Sequence, residues 1–341
     1  MRRMTAAWVI MTLVAALILG AIAPRSVTAQ NLGSSIKVDR LVFPVSLSTG
    51  PANVVAYLHY HGSYKNRPLQ VLVHGATYDH AYWDFSAVNG EGYSYARYMA
   101  ARKYAVLALD LPGAGESDKP SGPDLRLADT GSAVRQVVEA LRSGANPVAH
   151  RFSPIVLVGH SAGSIAATYA QANWHPADAL VITASRHLVG DVLNLPVTQA
   201  ILPLLLQLVT VFQGVPYFSL PSDSRTALFY YPPAADPDVI ALDNATADQW
   251  TNGQLLTTFF AFLNPSIDQV DQVTGPVLIQ LGTHDVLFPA ERRDVERALW
   301  RSTSPDIQTL TGIGHDFNLH LNHADGWRGI DAWISEHVSR K

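Results

Sequence analysis

Gly159-His160-Ser161-Ala162-Gly163 is a G-x-S-x-G pentapeptide, and its surroundings decide the fold. It follows Ile155-Val156-Leu157-Val158, an apolar β-branched run suited to a strand buried on both faces. Behind it, residues 164–172 are small and tolerant of a helix. Strand, tight turn and helix together lift a serine hydroxyl above the edge of a sheet, at the cost of a strained backbone at Ser161. Glycine at 159 and 163 lets strand and helix pass without a Cβ between them. The helix N-terminus then directs backbone N–H groups and a partial positive charge at whatever forms on the serine.

The same alternation extends on both sides. Residues 69–73 (Leu-Gln-Val-Leu-Val) form a predicted strand running into His74-Gly75-Ala76-Thr77. Residues 92–102 are a predicted helix, and 104–110 a strand that ends in the Gly/Pro-punctuated loop 111–120. Residues 129–142 are a helix whose apolar face carries Ala133, Val134, Val137, Val138 and Leu141. After the pentapeptide come strands at 179–183, at 276–281 ending in Gly282-Thr283-His284-Asp285, and at 306–310 ahead of Gly312-Ile313-Gly314-His315-Asp316. Helices at 290–300 and 324–338 separate and close them. At the front, 36–46 and 53–60 alternate on either side of Ser48-Thr49-Gly50-Pro51 and read as an antiparallel hairpin. Strands alternating with helices, each strand buried on both faces, imply a mainly parallel sheet between helical layers.

From 186 to 270 the alternation lapses. A stretch that long is not a bare loop, and its Leu-rich segments at 200–212 (with Pro203 inside), 215–220 and 255–263 read as a helical cap laid over the sheet. The division expected is therefore a leader at 1–29, core at 30–185, cap at 186–270 and core again at 271–341.

In the leader, Arg2 and Arg3 precede an uncharged apolar run at 7–23, and Val27-Thr28-Ala29 supplies small residues for cleavage. This predicts a signal peptide and a secreted or periplasmic protein; left uncleaved, the leader would act as an N-terminal membrane anchor. Its removal takes away Arg2, Arg3 and Arg25 and no acid, moving the net charge from −4 to −7. With no basic run there is nothing to attract a phosphate backbone, so nucleic acid is excluded as a partner. The absence of cysteine rules out disulfides, thiol nucleophiles and cysteine metal sites.

Three residues of complementary chemistry stand just past the carboxyl ends of predicted strands, the edge where open α/β sheets bind ligands: Ser161, Asp285 and His315. A serine needs a base to become a nucleophile; His315 can take its proton, and Asp285 can fix the imidazole's tautomer and stabilise the imidazolium. The glycines at 312 and 314 favour His315 over His284, His320 and His323, and strand-end position favours Asp285 over Asp191 and Asp316. His160 reads as a structural or pocket-wall residue and Trp83 as a packing anchor. His59 and His61 lack a third ligand for a metal.

These motifs resemble the α/β-hydrolase superfamily, in particular its capped, lipase- and esterase-like members. The resemblance rests on His74-Gly75 with Trp83 downstream, the loop 111–120, the pentapeptide, Gly282 to Asp285 and Gly314-His315. It implies an eight-stranded sheet, a Ser161–His315–Asp285 triad, and an oxyanion hole from the N–H groups of Ala76 and Ala162, with His74 organising the backbone. Serine as nucleophile, where dehalogenases and epoxide hydrolases of this superfamily use aspartate, argues against their chemistry. Ala114 departs from relatives that carry a bulkier residue such as histidine. The expectation is an exported serine hydrolase acting on a small-molecule hydrophobic carboxylic ester, with a medium-to-long acyl chain or another hydrophobic group, and with no metal or organic cofactor. Acyl transfer, lactone opening, and C–C or amide cleavage by the same triad are alternatives, as is a non-catalytic ligand-binding protein.

Overall fold

The computed structural model describes residues 36–338, apart from residue 213 and the side chains of residues 191, 201, 204, 205, 208 and 212. The leader reading at 1–29 lies outside the described residues. So does the side chain of Asp191, the alternative acid.

The hairpin predicted at the front is present. Strands β1 (Ile36–Leu47) and β2 (Gly50–His61) pair antiparallel across Ser48-Thr49, and Gly50 takes the positive φ that the turn needs. Strand β3 (Leu69–Val73) follows, then helix α1 (Tyr95–Ala101), β4 (Ala105–Leu109), α2 (Leu127–Ser143), β5 (Ile155–His160), α3 (Ala162–Trp174) and β6 (Ala179–Thr183). All of β3, β4, β5 and β6 is buried, as strands covered on both faces must be. On α2, the five predicted apolar residues are all buried. Helices α2 and α3 meet where Gly131 leaves room for the Tyr169 ring, and α1 joins the last helix of the chain through Tyr95, Tyr98 and Trp327.

Between β6 and the next sheet strand lie α4 (Pro196–Phe212), the two-residue ribbon strand β7 (Tyr217–Phe218), α5 (Ser222–Phe229), α6 (Pro237–Ala245), β8 (Trp250–Thr251), which pairs with β7, and α7 (Asn252–Leu263). Helix α4 runs through Pro203 instead of stopping there. The stretch 243–252, polar in sequence, holds the end of α6 and all of β8.

The alternation resumes with β9 (Val277–Gly282), α8 (Arg293–Leu299), β10 (Asp306–Leu310) and α9 (His323–His337). One eight-stranded sheet results, in the order β1-β2-β4-β3-β5-β6-β9-β10. Only the hairpin contributes antiparallel pairs; β4-β3-β5-β6-β9-β10 are parallel neighbours. The expectation that every strand is buried on both faces fails at the two edge strands, each with one neighbour: β1 exposes alternate residues, and the first four residues of β10 are exposed or half-buried.

A buried ionic group joins the segment after β6 to α8. His187 stands between Glu296 (Nδ1 to Oε1, 3.1 Å) and Asp268 (Nε2 to Oδ2, 3.1 Å), and the indole of Trp300 donates to Glu296 at 2.8 Å.

Candidate active site

The turn after β5 has the geometry its glycines require. Ser161 adopts φ 51° and ψ −122°, a conformation that costs a non-glycine residue free energy and is held here by the strand behind and the helix ahead. A Cβ on Gly159 would come within 2.5 Å of Ser164 Cα, and one on Gly163 would overlap the carbonyl oxygens of Val73 and His74. The Ser161 N–H donates to Thr183 O at 3.0 Å, fastening the turn to the end of β6.

Ser161, His315 and Asp285 come together. Nε2 of His315 lies 2.9 Å from Ser161 Oγ, and Nδ1 lies 3.0 Å from Asp285 Oδ2. The remaining oxygen of Asp285 accepts the N–H groups of Leu287 (2.9 Å) and Phe288 (3.0 Å), so this carboxylate is fully engaged. All three side chains are buried. Burial disfavours charge on both His315 and Asp285, but their mutual attraction and hydrogen bond outweigh it. The His315 pKa is raised above its usual value and that of Asp285 is lowered.

The rival histidines are occupied elsewhere. His320 accepts at Nε2 from the N–H groups of Gly314 and Tyr231, both at 3.1 Å, while its Nδ1 donates to Asp316 O; it shapes the His315 turn from beneath. His284 stacks on Tyr231 with ring centroids 3.7 Å apart. His323 opens α9 and bonds to His320 O. His160 lines the cavity, stacked on Tyr82 at 4.3 Å, and burial pushes its pKa well below the usual value, so it stays neutral. His74 links two loops: Nε2 accepts the Leu111 N–H at 3.0 Å, which leaves Nδ1–H to donate to Gly75 O at 2.8 Å. Trp83 is buried between Tyr82 and Tyr95.

Above Ser161 is a cavity of about 100 Å³ that Gly75, Ala76 and Ala162 also line. Its wall is apolar and comes largely from the segment between β6 and β9: Leu188, Phe218, Leu228, Trp250 and Phe259 all face it. Sequence reasoning did not separate these from ordinary core residues, because a pocket wall and a core share the same composition.

Sequence reasoning also missed a polar cluster against this wall. Tyr78, which lines the cavity, puts its hydroxyl 2.6 Å from Asp316 and 3.1 Å from Asp243, and Arg225 of α5 reaches Asp243 at 2.8 Å.

Among the described residues, one group could offer three metal ligands: Asp79, His80 and Asp110, with ligand atoms within 4.8 Å of one another. Each is already employed. Asp110 Oδ1 accepts the His80 N–H at 2.8 Å and faces its Nδ1 at 2.7 Å, Asp110 Oδ2 accepts from Glu116, and Asp79 caps Ala81. These bonds brace the loop after β4. His59 is similarly engaged by Asp84 at 2.9 Å.

The sequence model of the alpha/beta hydrolase family matches residues 70–327. No curated protein matches the chain. Among solved structures, the chain is similar to a thermophilic esterase from Thermogutta terrifontis (14% identity, TM-score 0.65, covering 88% of this chain and 100% of that one). It is also similar to an esterase from Exiguobacterium antarcticum (15%, 0.64, 86% and 98%) and a monoacylglycerol lipase from Paleococcus ferrophilus (16%, 0.58, 88% and 99%). At these identities the structural likeness speaks for the fold; the family match spans both halves of the sheet and the segment between them. The chain belongs to the alpha/beta hydrolase family and is a hydrolase of that fold.

Proposed function

We propose that this protein is an exported serine hydrolase that cleaves hydrophobic carboxylic esters through an acyl-enzyme on Ser161. The observation that carries the reading is the hydroxyl of Ser161 held 2.9 Å from an imidazole that is itself braced by Asp285, at the floor of an apolar cavity. Ser161 Oγ attacks the ester carbonyl as its proton passes to His315 Nε2. The oxyanion of the tetrahedral intermediate faces the N–H groups of Ala76 and Ala162, donors of a kind worth about 10²–10³ in rate each. His315 returns the proton to the leaving alcohol. Water, deprotonated by the same imidazole, then releases the carboxylic acid and frees the serine. Asp285 never takes the proton; it keeps the imidazolium favourable while the reaction needs it.

The apolar wall suits an acyl chain, since nothing on it rewards a charged or sugar-like group. Export rests on the leader read at 1–29.

A fluorophosphonate probe tests the assignment. It should label the parent protein on Ser161 and leave Ser161→Ala unlabelled, with ester turnover lost in parallel. Labelling or turnover that survives Ser161→Ala would refute it.

A further inference from the structure

Asp316 directly follows His315 in the chain and is wholly buried. Its Oδ2 lies 2.6 Å from the Tyr78 hydroxyl, and the same hydroxyl oxygen lies 3.1 Å from Asp243 Oδ2. Arg225 donates from Nη2 to that Asp243 oxygen at 2.8 Å, from Nη1 to Thr77 Oγ1 at 2.6 Å, and from Nε to Asn244 at 3.3 Å. Its guanidinium also covers the Tyr78 ring at 4.6 Å. Four pieces of chain therefore meet here: the loop after β3 that carries Ala76, helices α5 and α6, and the turn that carries His315.

Tyr78 has one hydroxyl hydrogen and two carboxyl oxygens in reach. Both contacts are attractive only when one of the two acids is itself protonated. Asp316 Oδ1 has no hydrogen-bond partner, which a neutral acid tolerates far better than a carboxylate. With one proton shared, the cluster holds one cation and one anion and closes electrically. Burial raises both acids above the ordinary carboxylate range, and at Asp243 the charge of Asp316 adds to the rise.

Other titratable groups facing the pair do not take up this role. Burial raises Tyr78, Tyr82 and Tyr230 well above the usual phenol value, and lowers His160 and His320. His160 Nε2 stands 3.7 Å from Asp316 Oδ1. His315 and Asp285 are engaged with each other.

We propose that Arg225 and Asp243 are positioning residues: one guanidinium and one shared proton clamp the carboxyl groups of Asp243 and Asp316 about the Tyr78 hydroxyl, and the clamp holds the His315 turn against the loop bearing Ala76. The inference rests on the reading of Ser161 and His315 as nucleophile and base. Loss of the shared proton sets two buried carboxylates against a single cation, and the two loops part. Misplacement of His315 relative to Ser161 lowers kcat more than it alters the binding of a small ester.

The test is kcat and KM for p-nitrophenyl acetate from about pH 6 to about pH 9.5 in the parent, Asp243→Asn, Arg225→Lys and Ser161→Ala. The parent's kcat falls on the alkaline side. In Asp243→Asn, where a second negative charge cannot form, that limb moves up by about one pH unit or more, or disappears. Arg225→Lys, which cannot hold Thr77 and Asp243 at once, loses about 10- to 100-fold in kcat while KM stays within about threefold. A parent profile with no alkaline limb overturns the clamp. So does the same limb in parent and Asp243→Asn, or an Arg225→Lys loss that appears only in KM. Activity retained by Ser161→Ala would instead bring down the nucleophile assignment beneath it; an inactive Ser161→Ala beside an unmoved Asp243→Asn limb sinks the clamp alone. If Arg225→Lys does not fold, the near-isosteric Asp243→Asn still decides.

Discussion

Ser161 and His315 are 154 residues apart in the chain, and Nε2 of the histidine lies 2.9 Å from the serine hydroxyl. The ring works as a base only when neutral, while Asp285 favours its charged form strongly enough to overcome burial. The acid limb of kcat/KM is therefore expected at a midpoint above about 6.5, the ordinary histidine value. Asp285→Asn should bring that midpoint down and reduce kcat by about 10⁴-fold. A pH–rate profile on a short ester reads both effects.

Gly163→Ala should destabilise the protein by about 3 kcal/mol or more, because the added methyl overlaps two backbone carbonyls that cannot move without dislodging β3. Gly214→Ala is the control: its Cβ would meet nothing within 4 Å, and its midpoint in urea should match the parent's. Denaturant titration of the two variants checks the contrast.

The cavity wall predicts a preference for p-nitrophenyl hexanoate over acetate of about 10- to 100-fold in kcat/KM, from burying extra methylenes. Leu255, half-buried on α7, lines the same cavity. Leu255→Trp should fill it and erase most of that preference while leaving acetate turnover nearly intact. Equal rates on both esters in the parent would count against an acyl-binding wall.

Glu296→Gln should cost about 3–5 kcal/mol, since it strips a buried imidazolium of a fully buried partner. Burial lowers the His187 pKa, but Glu296 and Asp268 more than reverse this and raise it well above the usual value. The stabilisation from His187 is thus complete below about pH 6.5 and fades as pH rises through the raised value. Burial raises the Glu296 pKa, but His187 more than offsets it, so the Glu296 contribution is complete above about pH 4.3 and fades as pH falls through its lowered value. The gap between parent and variant should be widest between those limits, as denaturation at a series of pH values would reveal.

The sheet was readable because β-branched runs such as 155–158 and 179–183 have few other uses, and because glycines at 159, 163 and 314 mark close backbone approaches. Asp285 and His315 could be picked out as candidates since each follows a strand at the carboxyl edge of the sheet. The inserted segment was much less readable. Helix α5 buries Arg225 beside Leu228 and Phe229, so its inward face mixes charge with apolar residues and shows no clean periodicity. Asp243 and Asp316 gain their meaning from Tyr78, which is remote from both in sequence and adjacent in space. No local pattern announces a contact of that kind.

The segment between β6 and β9 supplies most of the greasy wall and also the cation beneath Tyr78. It is consequently no interchangeable accessory. A chimera that borrows a foreign segment to gain a new appetite would leave Tyr78 and Asp316 without Arg225 and Asp243, unless the donor brings an equivalent pair to the same spot. Diversification on this scaffold is steered toward retouching leucines and phenylalanines one at a time, with Arg225 and Asp243 as fixed points.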